Sequence, residues 1–322
     1  MKYGYYPGCS LERNAAAYNV STMAIAEPLG IEFNEIDDWN CCGATEYTSI
    51  DLLAAYALIA RNLALAEQLP DNGKLVAPCS ACFLNLTKVA HQLEEEETLA
   101  DKVNLALAEG KLHYTPGSIQ VYHLLEVIFN DVGLDNLAKK VVKPLKGLRI
   151  APYYGCMIVR PGYQRTFDNP EHPTSLDSIM NALGAFVVDF PMKANCCGGH
   201  MTQISQPVAL EMLRRLLKNA ADYRADIIVT LCPMCQLNLD AYQENVNAYF
   251  KTDYHIPTLY FTQLIGIAMG IPAEQLGIGK ELVDARPALA KIGIEVPSEE
   301  SVPEKKKHPK ESLPMPTMSK ED

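Results

Sequence analysis

Ten cysteines, and no others, fall into two copies of one spacing, and that repeat constrains the chain more than any other feature. Cys9 is followed by 31 residues, then Cys41-Cys42, then 36 residues, then Cys79-Ser80-Ala81-Cys82. In the second half Cys156 is followed by 39 residues, then Cys196-Cys197, then 34 residues, then Cys232-Pro233-Met234-Cys235. The adjacent pairs sit in twin stretches, Asn40-Cys41-Cys42-Gly43-Ala44 and Asn195-Cys196-Cys197-Gly198-Gly199. The repeat reaches beyond cysteine. Leu75 to Leu86 matches Ile228 to Leu239, and His123 to Gly133 aligns with Tyr260 to Gly270.

A duplicated fold follows. Short strands are expected at Lys2 to Pro7, Ile31 to Ile36, Lys74 to Ala77, Leu148 to Pro152, Ala185 to Phe190 and Asp226 to Leu231. They alternate with helices at Asn14 to Leu29, Asp51 to Gln68, Phe83 to Leu93, Thr98 to Ala108, Leu124 to Phe129, Asp177 to Leu183, Val208 to Tyr223 and Pro233 to Phe250; in Asp51 to Gln68, Leu52, Ala55, Tyr56, Ile59, Leu63 and Ala66 recur at helical spacing. Glu94 to Glu97 reads as a solvated turn or helix start. Strands alternating with helices imply parallel α/β units. We therefore expect two similar Rossmann-like α/β domains, 1–146 and 147–292, related by a pseudo-two-fold, and a flexible charged tail over 293–322. The Lys305 to Lys310 stretch and its Pro/Ser-rich surroundings offer the tail too little apolar surface to pack.

Charge and segment composition narrow the function. A net charge of −11 argues against a nucleic-acid partner. The N-terminus has no apolar core of a signal peptide, and the most apolar run, Leu259 to Ile271, is too short to span a bilayer. A cytoplasmic location is expected, where thiols stay reduced and cysteine spacing points to metal or redox chemistry. There is no G-x-G-x-x-G and no P-loop lysine motif, so no NAD, flavin or ATP site is expected in this chain.

Each Cys-x-x-Cys opens a helix, which puts both sulfurs on one side of its first turn, beside free N–H groups that favour thiolates. The loops at strand C-termini of an open parallel sheet form the ligand crevice, so sequence-distant cysteines would converge there. Structural zinc and a simple iron–sulfur cube both take four ligands. Five per half leaves three alternatives: a spare cysteine, a reactive thiol, or an unusual cluster with a bridging thiolate. Zinc with an idle cysteine and a disulfide framework are the competing readings.

On these residues, and on Tyr6-Pro7-Gly8-Cys9, Tyr154-Gly155-Cys156 and Thr262 to Gly270, residues 1–292 resemble the B subunit of heterodisulfide reductase, a duplicated CCG or cysteine-rich domain family. The resemblance implies that Cys9, Cys41, Cys42, Cys79 and Cys82 hold one noncubane [4Fe–4S] cluster, and that Cys156, Cys196, Cys197, Cys232 and Cys235 hold another. It implies a disulfide substrate between them, coenzyme M–coenzyme B heterodisulfide or a bacterial equivalent, cleaved to two thiols. Electrons would then come from the heterodisulfide reductase partners, an A-type protein carrying flavin and iron–sulfur clusters and a small C-type iron–sulfur protein. Two features depart from the methanogen pattern: His200-Met201-Thr202-Gln203 after the second CCG, and the charged tail. The alternative within the family is an electron-relay subunit that binds no substrate, as in related membrane-associated subunits of lactate, glycerol-3-phosphate and succinate oxidoreductases. Lys193, Arg160 and His200 are candidates to contact an anionic substrate, being near second-half cysteines. Tyr5, Tyr6, Tyr153 and Tyr154 are expected to be core or cluster-cover residues.

Overall fold

A computed structural model describes residues 1–44, 47–71, 73–159 and 167–296. The first half runs β1 (Lys2–Tyr5), α1 (Gly8–Leu11), α2 (Ala16–Ala26), β2 (Glu32–Glu35), α3 (Tyr47–Ile50), α4 (Leu52–Ala66), β3 (Lys74–Ala77), α5 (Ser80–Glu95), α6 (Glu97–Ala108), β4 (Gln120–His123), α7 (Leu124–Glu126) and α8 (Leu134–Lys139). The second runs β5 (Arg149–Tyr153), α9 (Ser175–Ala182), β6 (Phe186–Val187), α10 (Met201–Ile204), α11 (Gln206–Asp222), β7 (Ile227–Thr230), α12 (Pro233–Ala241), α13 (Gln243–Phe250), β8 (Thr258–Tyr260), α14 (Phe261–Ala268) and α15 (Arg286–Ala290).

Each half forms a four-stranded sheet with every pair parallel, in the orders β2-β1-β3-β4 and β6-β5-β7-β8. The orders are the same, as the duplication requires. The inner strands are short apolar runs because both faces of a parallel sheet are covered by helices. Leu75, Val76 and Ala77 are buried, and so are all four residues of β7. In both sheets the chain reverses its direction of winding between the first and third strands. That places the crevice of an open α/β sheet between β1 and β3, and between β5 and β7.

The halves interlock reciprocally. Helix α2, after the first strand of one half, packs on α14, after the last strand of the other. Helix α9, the counterpart of α2, packs on α7, the following π-helical turn Val127–Val132, and α8. One apolar core runs across both halves, from Tyr3 and Leu63 to Leu259 and Leu289, and a second lies on the far face of the second sheet around Leu213 and Ile228. Ile292, Ile294 and Val296 rest against the shared core. The expected tail 293–322 therefore begins with packed residues, and its remainder from 297 lies outside the described residues.

Several elements depart from the sequence expectations. The strand expected over Ala185 to Phe190 is shorter, and the single helix expected over Pro233 to Phe250 is split in two. Edge strand β6 holds two residues, its pairing continuing only through Val188 N–H to the Ile150 carbonyl at 2.9 Å before the turn at Pro191. The helix breaks at Tyr242, where the Gln243 side-chain amide takes the Leu239 carbonyl at 2.7 Å and bonds Ile256 instead of letting the chain continue. Strands β4 and β8 were not expected. Each runs into a helix with no intervening loop, His123 and Tyr260 being at once the last strand residue and the helix N-cap.

Candidate redox site

The site is built where strand ends meet helix starts. Cys79 and Cys232 are the N-cap residues of α5 and α12, at the ends of the central strands β3 and β7. Pro233 occupies the first position of α12, where its missing N–H costs nothing. Cys9 lies in the single turn of α1, just past β1, and not in a loop. The Cys41-Cys42 and Cys196-Cys197 segments follow the first-edge strands β2 and β6.

None of the ten cysteines is in a disulfide, and the ten form one continuous succession of sulfur neighbours. Cys9 Sγ lies 3.6 Å from Cys41 Sγ, and Cys42 Sγ lies 3.2 Å from Cys82 Sγ. Cys41 and Cys42 are hydrogen-bond neighbours, as are Cys82 and Cys79. Cys79 in turn meets Cys232 of the other half. The order then repeats in reverse: Cys232 to Cys235, Cys235 to Cys197 at 3.6 Å, Cys197 to Cys196, and Cys196 to Cys156. The succession is a palindrome about the Cys79–Cys232 contact, the pseudo-two-fold expressed in sulfur. Its centre is buried. At one end Cys9 and Cys41 are exposed, and at the other Cys156 and Cys196 are half-buried.

Glycine makes room for this crowding. Gly8 and Gly155 hold φ of +73° and +70°. A Cβ on Gly8 would stand 2.9 Å from Cys82 Sγ, and one on Gly155 3.0 Å from Cys235 Sγ. Beside the CCG segments, Gly43 and Gly199 also have positive φ, with nothing within 4 Å of where a Cβ would be.

Matching side chains brace the two sets. Tyr6 Oη donates to the Asn40 carbonyl at 2.7 Å, and Tyr153 Oη donates to the Asn195 carbonyl at 2.7 Å. Asn85 Nδ2 donates to the Cys42 carbonyl at 2.9 Å, while Asn238 Nδ2 reaches Cys197 Sγ at 3.5 Å and the Gly199 carbonyl at 2.9 Å. The sequence reading missed Asn85 and Asn238. The signal was present in the aligned Leu84-Asn85-Leu86 and Leu237-Asn238-Leu239. Tyr5, Tyr6, Tyr153 and Tyr154 are all fully buried. Tyr5 donates to Asn19 at 2.7 Å, and Tyr154 donates to Asp177 at 2.6 Å.

The thiols cannot all ionise unaided. Hydrogen bonding from Cys42 and then Cys9 draws Cys41 down to about 2, and hydrogen bonding from Cys232 and then Cys82 holds Cys79 well below the usual thiol value. Their neighbours move the other way. Cys9 is raised by its bond to Cys41 and by burial, and Cys42 is pushed up to about 12, first by Cys41. Cys197 is likewise pushed up to about 12 by Cys196. Cys232 is relieved by Cys235 but raised by Cys79 and burial, and also stands at about 12. A few thiolates form at the expense of the rest, and a cationic metal centre is what deprotonates a whole set of coordinating thiols. Among the described residues no three or more His, Cys, Asp or Glu side chains gather around a point where a single metal ion would sit. Five soft donors, backbone that passes closely at glycine, and open space beside both CCG segments fit an iron–sulfur group in each half.

The candidate substrate contacts are placed differently. Lys193 is buried, its Nζ donating to Asp177 Oδ1 at 3.0 Å and lying 5.9 Å from the Tyr154 ring centroid. Its carbonyl accepts from Tyr154 N–H at 2.9 Å and Gly155 N–H at 3.2 Å, so it braces the Cys156 loop. His200 is half-buried and precedes the short helix α10. Arg160 lies outside the described residues.

Two parallel α/β units, each presenting five thiols at the crevice end of its sheet, define a duplicated cysteine-rich α/β protein. The chain belongs to the cysteine-rich CCG domain family, whose profile matches residues 3–87 and 150–240. It is 39% identical over 284 residues to an 8-methylmenaquinol:fumarate reductase membrane anchor subunit of Wolinella succinogenes, covering 88% of this chain and 98% of that one. It is 30% identical over 294 residues to the B subunit of the ferredoxin/F(420)H(2)-dependent CoB-CoM heterodisulfide reductase of Methanosarcina acetivorans, covering 90% and 97%. In fold the chain is similar to the crystal structure of a hypothetical protein from Helicobacter pylori, with a TM-score of 0.70 and 17% identity over 88% of this chain, and it spans 52% of that structure. Both named relatives are thus oxidoreductase subunits. Among the described residues no helix is long and apolar enough to cross a membrane.

Proposed function

We propose that this chain is the iron–sulfur subunit of a multi-subunit, quinol-linked oxidoreductase, each five-cysteine set holding one [4Fe–4S] cluster of the noncubane type. Such clusters supply one-electron transfer when bound. The observation that carries this reading is the buried Cys79–Cys232 contact, which joins the two thiol sets directly. The near full-length likeness to a fumarate reductase subunit supports it. The protein's own residues hold the sets in register: Tyr6 and Tyr153 fix the CCG segments, and Gly8 and Gly155 let the last cysteine of each set close in.

A second reading is reductive cleavage of a small-molecule disulfide to two thiols, with the A-type flavin protein and C-type iron–sulfur protein as partners. It is favoured by the exposure of Cys9 and Cys41 to solvent and by the heterodisulfide reductase relative. In that reading His200 and Arg160 remain the candidate contacts to an anionic substrate, while Lys193, already bonded to Asp177, shapes the loop.

Protein purified without oxygen is expected to carry ~8 iron and ~8 sulfide per chain, four of each per cluster. Zinc in their place would overturn both readings. The complex with its copurifying subunits, tested oxidised with a quinol analogue and reduced with disulfides, then decides between them. Reduction by a quinol analogue, without oxidation by disulfides, supports the relay. Oxidation by a disulfide with release of two thiols per two electrons supports the second reading.

A further inference from the structure

The Cys79–Cys232 junction is held by a polar cluster drawn from one half only. His123, at the end of β4, is fully buried, and its Nδ1 accepts from Leu125 N–H at 3.0 Å. That bond fixes the proton on Nε2. Nε2 faces the carbonyl oxygens of Pro78 and Leu231, the residues immediately before Cys79 and Cys232. Tyr18 Oη donates to the same two carbonyls, at 3.0 Å and 3.4 Å. Ser80 Oγ reaches the Leu231 carbonyl at 3.4 Å and His123 Nε2 at 3.4 Å. Tyr18 of the first half thus holds a carbonyl of each half, Ser80 holds the Leu231 carbonyl, and His123 lies against both and against Ser80.

The duplication is broken here. In the aligned repeats Ser80 corresponds to Pro233 and His123 to Tyr260. Tyr260 does not copy the histidine's bonds. It stacks on Tyr18 with ring centroids 4.4 Å apart and planes 5° from parallel, fixing the ring whose hydroxyl makes the double contact. Buried donors that bridge two packed units at one atom each are costly to leave unpaired, so the cluster has a single satisfied arrangement.

We propose that His123, Tyr18 and Ser80 are positioning residues that clamp the two Cys-x-x-Cys turns together and thereby set the electronic coupling between the two five-thiol sets. The inference rests on the proposed pair of clusters and asks nothing of the outer thiols. It makes the first half the fixed frame and the Cys232 turn the part that is held.

The test is electron paramagnetic resonance of the full, iron-loaded chain, poised so that both sets are paramagnetic. Wild type is expected to show magnetic interaction between the sets. His123→Phe keeps a ring against Phe83, whose centroid lies 5.6 Å away, but removes the donor. It is expected to retain wild-type iron while the interaction collapses to two independent signals. His123→Gln, which restores an N–H donor, should recover the interaction. Tyr18→Phe keeps the stack on Tyr260 and removes only the hydroxyl, so it reports on the clamp even if the histidine variant folds poorly, and it should weaken the interaction. Undiminished interaction in Tyr18→Phe, or in iron-loaded His123→Phe, would overturn the clamp. Absence of any interaction in iron-loaded wild type would instead sink the proposed electron exchange between the sets.

Discussion

At the scale of single residues, two glycines beside first-half cysteines, Gly8 and Gly43, separate steric need from backbone need. Gly8 combines a left-handed φ of +73° with a close approach to Cys82 Sγ, whereas Gly43 has φ of +62° and open space around it. A left-handed L-residue costs roughly 1–2 kcal/mol, a strain that both alanine variants bear. Only Gly8→Ala also drives a methyl group into a sulfur of the thiol set. We expect Gly8→Ala to drop bound iron to about half of wild type, the loss of one four-iron cluster, while Gly43→Ala keeps its iron. Iron analysis of both variants, purified side by side without oxygen, checks this, and equal iron in the two would show that the Gly8 approach is not limiting. The cysteine positions were legible because the spacing occurs twice. The bracing residues were harder to see, since Asn85 and Asn238 act through carbonyls of residues about forty positions away.

Among the elements, apolar packing and polar bonds have separate tasks. Every residue of α14 is buried, and α2 contributes Tyr18, Ile25 and Ala26. A fully buried large apolar side chain contributes ~1.5–3 kcal/mol, against ~1 kcal/mol net for a neutral hydrogen bond. The apolar faces therefore hold the halves together, and bonds such as Ser21 to Thr262 at 2.6 Å select the register. Gly277 shows how tight this clasp is, because a Cβ there would stand 2.9 Å from Ala17 Cα, backbone that cannot yield without moving α2. Its φ is +67°, and Gly293, at +71°, has nothing within 4 Å. Gly277→Ala is expected to destabilise by about 2–4 kcal/mol, strain plus overpacking, and Gly293→Ala by the strain alone. Urea unfolding midpoints of the pair measure the difference, and similar midpoints would mean that α2 is free to shift. The stretch Gly277-Ile278-Gly279-Lys280 is too short for a phosphate loop, and the role of Gly277 lies in this packing. Helices with strong apolar periodicity, such as Leu52–Ala66 with its Asp51 cap, were readable nearly to the residue. Strands β4 and β8 were not, because a three- or four-residue strand that passes straight into a helix carries neither alternation nor a turn signal.

Over the whole molecule, the duplication is closed at both ends: each half lends a helix to the other, and the ten thiols form one series with its midpoint where the two halves meet. Two sets so joined are expected to act as a unit, and removing either should cost about as much as removing both. Cys42 and Cys197 are the substitutions of choice. Both are buried, each touches the last cysteine of its own set, and neither is at the Cys79–Cys232 contact. Cys42→Ala should lose the first set's iron and keep the second's, and Cys197→Ala the reverse. Each retained set then serves as an internal control for folding. In the assembled complex both variants should lose turnover with its physiological acceptor, and the double variant should be no worse than either. The measurement is steady-state turnover alongside iron content and the spectrum of the surviving set. Substantial turnover by Cys42→Ala protein that has demonstrably lost its first set would show that the halves work independently. The palindromic series of thiols would then reflect shared ancestry of the two halves and not joint function.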